Sequence, residues 1–94
     1  MENLSFNGNV KVIGAVEQIS DKFKKRSLVV TIEGQYPQHI EVQAVNDRVV
    51  MFDNLLPGDA VTCHINLRGR EWQDPKGGVK YFNTLECLKL DKVG

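Results

Sequence analysis

The sequence has no apolar run approaching the ~20 residues that a bilayer-crossing helix requires, so no membrane-spanning helix is expected. Its start, Met1-Glu2-Asn3, shows no basic stretch leading into an apolar one; no secretory leader is expected, and the cytoplasm is the expected location. Cysteine is scarce. Cys63 and Cys87 stand alone in apolar runs without CxxC spacing, which suits buried thiols in a reducing compartment better than a disulfide or a metal site. The spacing of a phosphate-cradling loop is missing, because Gly8, Gly14 and Gly77-Gly78 form neither GxGxxG nor a P-loop. His39 and His64 lie far apart with no cysteine or carboxylate at ligand spacing, so neither a metal nor a cofactor is expected. Ser5, Ser20 and Ser27 have no base beside them, and an enzyme is not expected.

What is present describes one small folded domain over residues 1–94, with 41% hydrophobic and 26% charged residues. Alternation of period two dominates. Val61, Cys63, Ile65 and Leu67 share one face of a strand, while Thr62, His64, Asn66, Arg68 and Arg70 share the other. Ile40, Val42 and Ala44 alternate with His39, Glu41 and Gln43 in a second strand, and the β-branched run Leu28–Ile32 suits a third. Val10, Val12, Ile13, Val16 and Ile19 flank Gly14, which predicts a first strand bent at the glycine. Residues Tyr81–Leu90 supply the last strand. Polar or turn-rich connections fall at Ser20–Arg26, Gly34–Gln38 and Asp74–Gly78. Between Asn46 and Asp59, Val49, Val50, Phe52 and Leu55 or Leu56 recur at helical spacing. Asn46 or Asp47 is the expected N-cap there, and Pro57-Gly58 the stop.

Five strands with one short helix between the third and fourth is the order of an all-β OB-fold barrel. Such barrels bind oligonucleotides or sugars on the second and third strands and on the loops joining strands one to two and four to five. The charge distribution agrees with that geometry. The chain carries twelve basic and twelve acidic residues, and its net charge is zero. Eight of the twelve cations nevertheless sit in two short segments, Lys22, Lys24, Lys25 and Arg26 in the first and Arg68, Arg70, Lys76 and Lys80 in the second. Only Glu71 and Asp74 dilute them, which leaves the remainder of the chain acidic.

The stretch Leu67-Arg68-Gly69-Arg70-Glu71-Trp72-Gln73-Asp74, followed by Gly77-Gly78-Val79-Lys80-Tyr81-Phe82-Asn83-Thr84, resembles strand four, the hairpin loop and strand five of the bacterial and phage single-stranded DNA-binding protein family. Phe52–Val61, with Pro57-Gly58-Asp59, resembles that family's helix end and its entry into strand four. The resemblance covers roughly Val45–Leu90. In the first half, Gln35-Tyr36-Pro37 and the basic segment before it are similar to a small uncharacterised bacterial OB family. The resemblance implies single-stranded DNA as partner, a homodimer or homotetramer, and a role in replication, recombination or repair. An acidic-hydrophobic tail for recruiting other proteins is not expected here.

On this reading the loops Asp21–Arg26 and Glu71–Val79 close over one strand of nucleic acid. Trp72, the sole tryptophan, stands among charges beside a turn, where stacking on a base competes with packing across its own hairpin. Phe23, interleaved with cations, either stacks or folds back on the barrel end. Tyr36 and Tyr81 each stack or plug an end, with Phe82 facing opposite to Tyr81. Phe6 and Phe52 read as core or helix-face residues. Lys22, Lys24, Lys25, Arg26, Arg68, Arg70, Lys76 and Lys80 are the candidates for phosphates. Two other readings stand beside this one. An OB protein-interaction module suits the zero net charge, and an RNA-binding OB domain would need a competition between DNA and RNA to tell apart.

Overall fold

The computed structural model describes residues 4–93. The Met1-Glu2-Asn3 start, read above for a leader, lies outside them. Among the described residues there are six strands: β1 (Leu4–Ile13), β2 (Glu17–Ser20), β3 (Phe23–Ile32), β4 (Gln38–Val45), β5 (Ala60–Gln73) and β6 (Val79–Lys92). A short 3₁₀ helix, Asn46–Phe52, joins β4 to β5. The extra strand relative to the expected five arises because the first strand breaks at Gly14 into β1 and β2. The sheet order β1-β5-β6-β4-β3-β2, with an added β1–β3 pairing, closes a ring of β1, β3, β4, β6 and β5. All contacts in the ring are antiparallel except β4 with β6, where Gln43 aligns with Glu86. This is the OB barrel.

β1 closes the ring by changing partners. Its first half pairs with β5 (Leu4 opposite Ile65 through Asn9 opposite Ala60) and its second half with β3, after a bulge between Val10 and Val12. The crossing requires close approach of backbones. A Cβ on Gly8 would lie 2.6 Å from Val30 Cγ1 and 2.7 Å from the Thr31 carbonyl oxygen, so only glycine fits. The inward faces of the strands supply the core, with Val10, Leu28, Val30, Val42, Ala44, Val61, Cys63, Ile65 and Cys87. Phe52 and Leu55 seal one end, and Phe6 packs partly against the cluster. Both cysteines are fully buried and unpaired. A hydrogen bond to Cys87, together with burial, holds the Cys63 thiol far above the ordinary thiol range.

Three local expectations are corrected. The segment Ser20–Arg26 is not a loop, since β2 and β3 meet in a tight turn at Asp21-Lys22 and Phe23–Arg26 already belong to β3. The second proposed loop is likewise shorter than Glu71–Val79. Glu71–Gln73 are strand, and the turn is Asp74–Gly78, closed by Asp74 N–H to Gly78 O at 2.7 Å with Gly77 at φ 99°. Finally, the helix start at Val45 has no side-chain cap. Asn46 instead takes a left-handed φ of 52°, which asparagine tolerates, and its Oδ1 accepts the Lys24 backbone N–H at 3.2 Å. The short turn lets β5 and β6, of fourteen residues each, run as one hairpin whose outer half leaves the barrel as an exposed arm. The molecule is accordingly 50 Å long and 24 Å thick.

Candidate nucleic-acid interface

Residues directly opposite on antiparallel strands share a face, so the register of the β5–β6 arm sorts its side chains. Arg68 lies opposite Thr84, Arg70 opposite Phe82 and Trp72 opposite Lys80. These six form one face. Leu67 with Leu85, Glu71 with Tyr81 and Gln73 with Val79 form the other. Each aromatic on the first face has a cation against it. The Arg70 guanidinium carbon lies 5.5 Å from the Phe82 ring centre, and Lys80 Nζ lies 5.8 Å from that of Trp72. The two rungs are two residues apart, or about 7 Å along the strand. Trp72 is 43% exposed and Phe82 46%, so both rings remain open to a ligand.

This face continues onto the barrel. On β3, Leu28 and Val30 point into the core, so Phe23 and Lys25 are in phase with the outer surface, as are Gln43 and Val45 on β4. Together they line a groove of about 710 Å³ with Arg68, Arg70, Phe82, Thr84 and Glu86. Its charged side chains are Lys25, Arg68, Arg70 and Glu86, a net positive set in a chain with no net charge. Arg68 Nη1 lies 3.5 Å from Glu86 Oε1. A second hollow, between β1, β5 and the end of β3, is lined by Asn7, Gly8, Asn9, Ile32, Glu33, Thr62 and Val93 and has neither a cation nor an aromatic ring.

Of the residues singled out from sequence, Phe23, Lys25, Arg68, Arg70, Trp72 and Lys80 come together along this surface. The others do not. Arg26 is in phase with Leu28 and turns inward, its side chain only 14% exposed. It donates from Nε to the Gly14 carbonyl (2.8 Å) and from Nη1 to the Val49 carbonyl (3.1 Å) and Asp53 Oδ1 (2.6 Å), and it lies over Phe52. Those bonds tie the β1–β2 break to the helix end. Lys22 and Lys24 line a separate polar hollow with Asp21, Asn46 and Asp47, and Phe23 borders both hollows. Lys76 sits in the turn at the tip of the arm, its backbone N–H on Asp74 Oδ1 at 2.9 Å. Tyr81, on the opposite face, donates from Oη to Glu71 Oε1 at 3.2 Å. Tyr36 lies in the β3–β4 loop, at the far end of a ten-residue strand from Phe23, about 30 Å away.

Sequence reasoning missed Phe82, Gln43, Thr84 and Glu86. Phe82 had a signal, being two residues from Lys80 and so on its face. Gln43 and Glu86 had none, because the β4–β6 contact that brings them together is between segments distant in sequence. Among the described residues, no group of histidine, cysteine or carboxylate side chains is placed to hold a metal ion, and no helix is long and apolar enough to cross a membrane.

The family described as Domain of unknown function (DUF3127) matches residues 5–91. No curated protein matches the chain. Several solved structures do. The mitochondrial single-stranded DNA binding protein from S. cerevisiae aligns at a TM-score of 0.73 and 8% identity, over 98% of this chain and 94% of that one. The single-stranded DNA binding protein from Thermus aquaticus aligns at 0.73 and 14% identity, over all of this chain and 50% of its own. A deletion mutant of that protein aligns at 0.74 and 12%, over all of this chain and 51% of its own. This chain thus spans about half the length of the Thermus aquaticus chains. At such identities the likeness is one of fold, the OB barrel with its long hairpin.

Proposed function

We propose that this chain, which belongs to the DUF3127 family, binds single-stranded DNA along the groove formed by β3, β4, β6 and the β5–β6 arm. The observation that carries the reading is the sorting of the arm, which puts Arg68, Arg70, Trp72, Lys80 and Phe82 on one face, continuous with Phe23 and Lys25. Exposed rings offer stacking surfaces to unpaired bases, and the cations beside them neutralise phosphates. Both contacts are available to any sequence. A duplex offers no free base faces, so it binds poorly. Solved structures of this fold include proteins named for single-stranded DNA binding, which supports the same reading.

Several further features go with the proposal: a binding protein rather than an enzyme, a cytoplasmic location, one domain spanning residues 1–94, and a role in replication, recombination or repair. Assembly into a dimer or tetramer is part of it as well. Its support is an open edge, since among the described residues Leu4–Gly8 of β1 pair with β5 on one side and with no strand on the other. The deciding experiment is fluorescence anisotropy of a labelled oligo-dT of roughly 35 nucleotides, with unlabelled duplex and RNA as competitors. The affinity is expected to fall steeply with salt, as counterion release requires. Duplex is expected to compete poorly. Binding that ignores salt would favour the protein-interaction reading, and stronger competition by RNA would change the ligand.

A further inference from the structure

We infer that one position of the groove reads the exposed pairing edge of an unpaired guanine, through the carboxylate of Glu86 with Arg68 beside it. This rests on the groove being the nucleic-acid site, and it adds base preference to a surface otherwise built from contacts that any sequence can make.

The starting point is an acid where phosphate binding alone would favour none. Glu86 is the one acidic side chain lining the groove. It stands on β6 level with Gln43 of β4, and its side chain is only 15% exposed. Arg68 does not account for it, because that side chain is 62% exposed and needs no buried counter-charge. Their contact is long, 3.5 Å from Nη1 to Oε1. Among the described residues Oε2 has no hydrogen-bond partner, yet it is not sealed away from solvent. A half-buried carboxylate of this kind repels phosphate and calls for a ligand that donates hydrogen bonds.

The donors of a nucleic acid strand are on its bases. Guanine presents N1–H and the N2 amine side by side, matching the two oxygens of one carboxylate, with O6 next to them as an acceptor. Arg68, Gln43 and Thr84 are donors that line the groove beside Glu86. Adenine and cytosine each present a single amine on this edge. Thymine and uracil present one N–H between two carbonyls, which a carboxylate repels. In a duplex the same edge is paired and out of reach, so this reader works only on a single strand.

The test uses the full chain and three labelled oligonucleotides of equal length. One is all dT, one has isolated dG in a dT background, and one has inosine at those same positions. Isolated guanines do not fold into four-stranded structures. Inosine keeps the ring, N1–H and O6 and loses only the N2 amine. The dG strand is expected to bind the wild-type protein at least about fivefold more tightly than the inosine strand, the lower end of what a bidentate base contact supplies. In Glu86→Gln, whose amide has one acceptor, the dG and inosine strands should bind nearly equally. Equal binding of dG and inosine by the wild-type protein overturns the inference whether or not the variant folds. So does a preference that survives in Glu86→Gln. If the wild-type protein fails to bind even oligo-dT at low salt, the groove reading falls and this inference with it. Firm dT binding without a dG preference removes the inference alone.

Discussion

Tyr81 and Phe82 are neighbours on one exposed strand, and truncating each in turn separates the two faces of the arm. Phe82 shares its face with Arg70, Trp72 and Lys80, whereas Tyr81 is paired with Glu71 on the reverse. Phe82→Ala removes a stacking surface worth about 1–3 kcal/mol per base. At about 1.4 kcal/mol per decade, the affinity for oligo-dT should fall roughly 5- to 140-fold. Arg70, which lies 5.5 Å from the ring centre, also loses its seat, so the upper half of that range is expected. Folding should suffer little. Phe82 is outside the core, and an exposed cation–π contact contributes only about 0.5–1 kcal/mol. Tyr81→Ala removes a ring that is 71% exposed and one exposed hydrogen bond. It should change affinity less than about twofold and stability by no more than about 0.5 kcal/mol. Anisotropy titration of both variants at one salt concentration, beside their thermal melts, reads all four quantities. A loss of affinity in Tyr81→Ala equal to or greater than that in Phe82→Ala would refute the assignment of faces.

Arg26→Ala should leave the groove intact and destabilise the fold by about 2–4 kcal/mol in denaturant titration, because it strips hydrogen bonds from the Gly14 and Val49 carbonyls at a largely buried site. Arg70→Ala should do the reverse, with affinity lost and stability unchanged. Gly8→Ala should cost at least about 2 kcal/mol, since the added methyl meets backbone at 2.7 Å, and a melt lowered by roughly 8–16 °C would register it. Asp59 has its pKa lowered below 3.8, first by the Leu56 N–H on its carboxylate and, against some desolvation, by Lys92. A group depressed in the folded state contributes stability above its unfolded pKa and loses it as pH falls through the folded value. The stability gap between wild type and Asp59→Asn should therefore be constant near neutrality and close below about pH 3.8, as melts across pH would show.

The barrel was legible because alternation is a local signal. Val61-Cys63-Ile65 and Val42-Ala44 mark inward faces without any knowledge of what packs against them. Strand ends were less so. Lys22–Arg26 has no apolar alternation and reads as loop, yet Phe23–Arg26 extend β3 because β2 and β4 lie alongside, with Lys24 opposite Gln18, Lys25 opposite Val45 and Arg26 opposite Ala44. Counting back by twos from Val30 puts Leu28, Arg26 and Lys24 in one phase, so the inward turn of Arg26 was available in the sequence. Its charge drew it into the basic cluster instead. For Tyr81 and Phe82, alternation shows that they oppose each other but not which one faces the groove. The spacing from Lys80 pointed to Phe82, and the register with Arg70 and Glu71 decides it. The position of Glu86 depends on a parallel contact across the barrel, which no local pattern reports.

The sole tryptophan provides the most direct test of the groove, because any ligand-induced change in its emission comes from Trp72. The protein is titrated with an unstructured oligo-dT of roughly 35 nucleotides at low and high salt, beside a duplex of matching length. Strong quenching by the single strand, weakened by salt and absent with the duplex, is the predicted result. Unchanged emission with no binding at low salt would contradict the account and leave the basic, aromatic face of the arm without a nucleic-acid role.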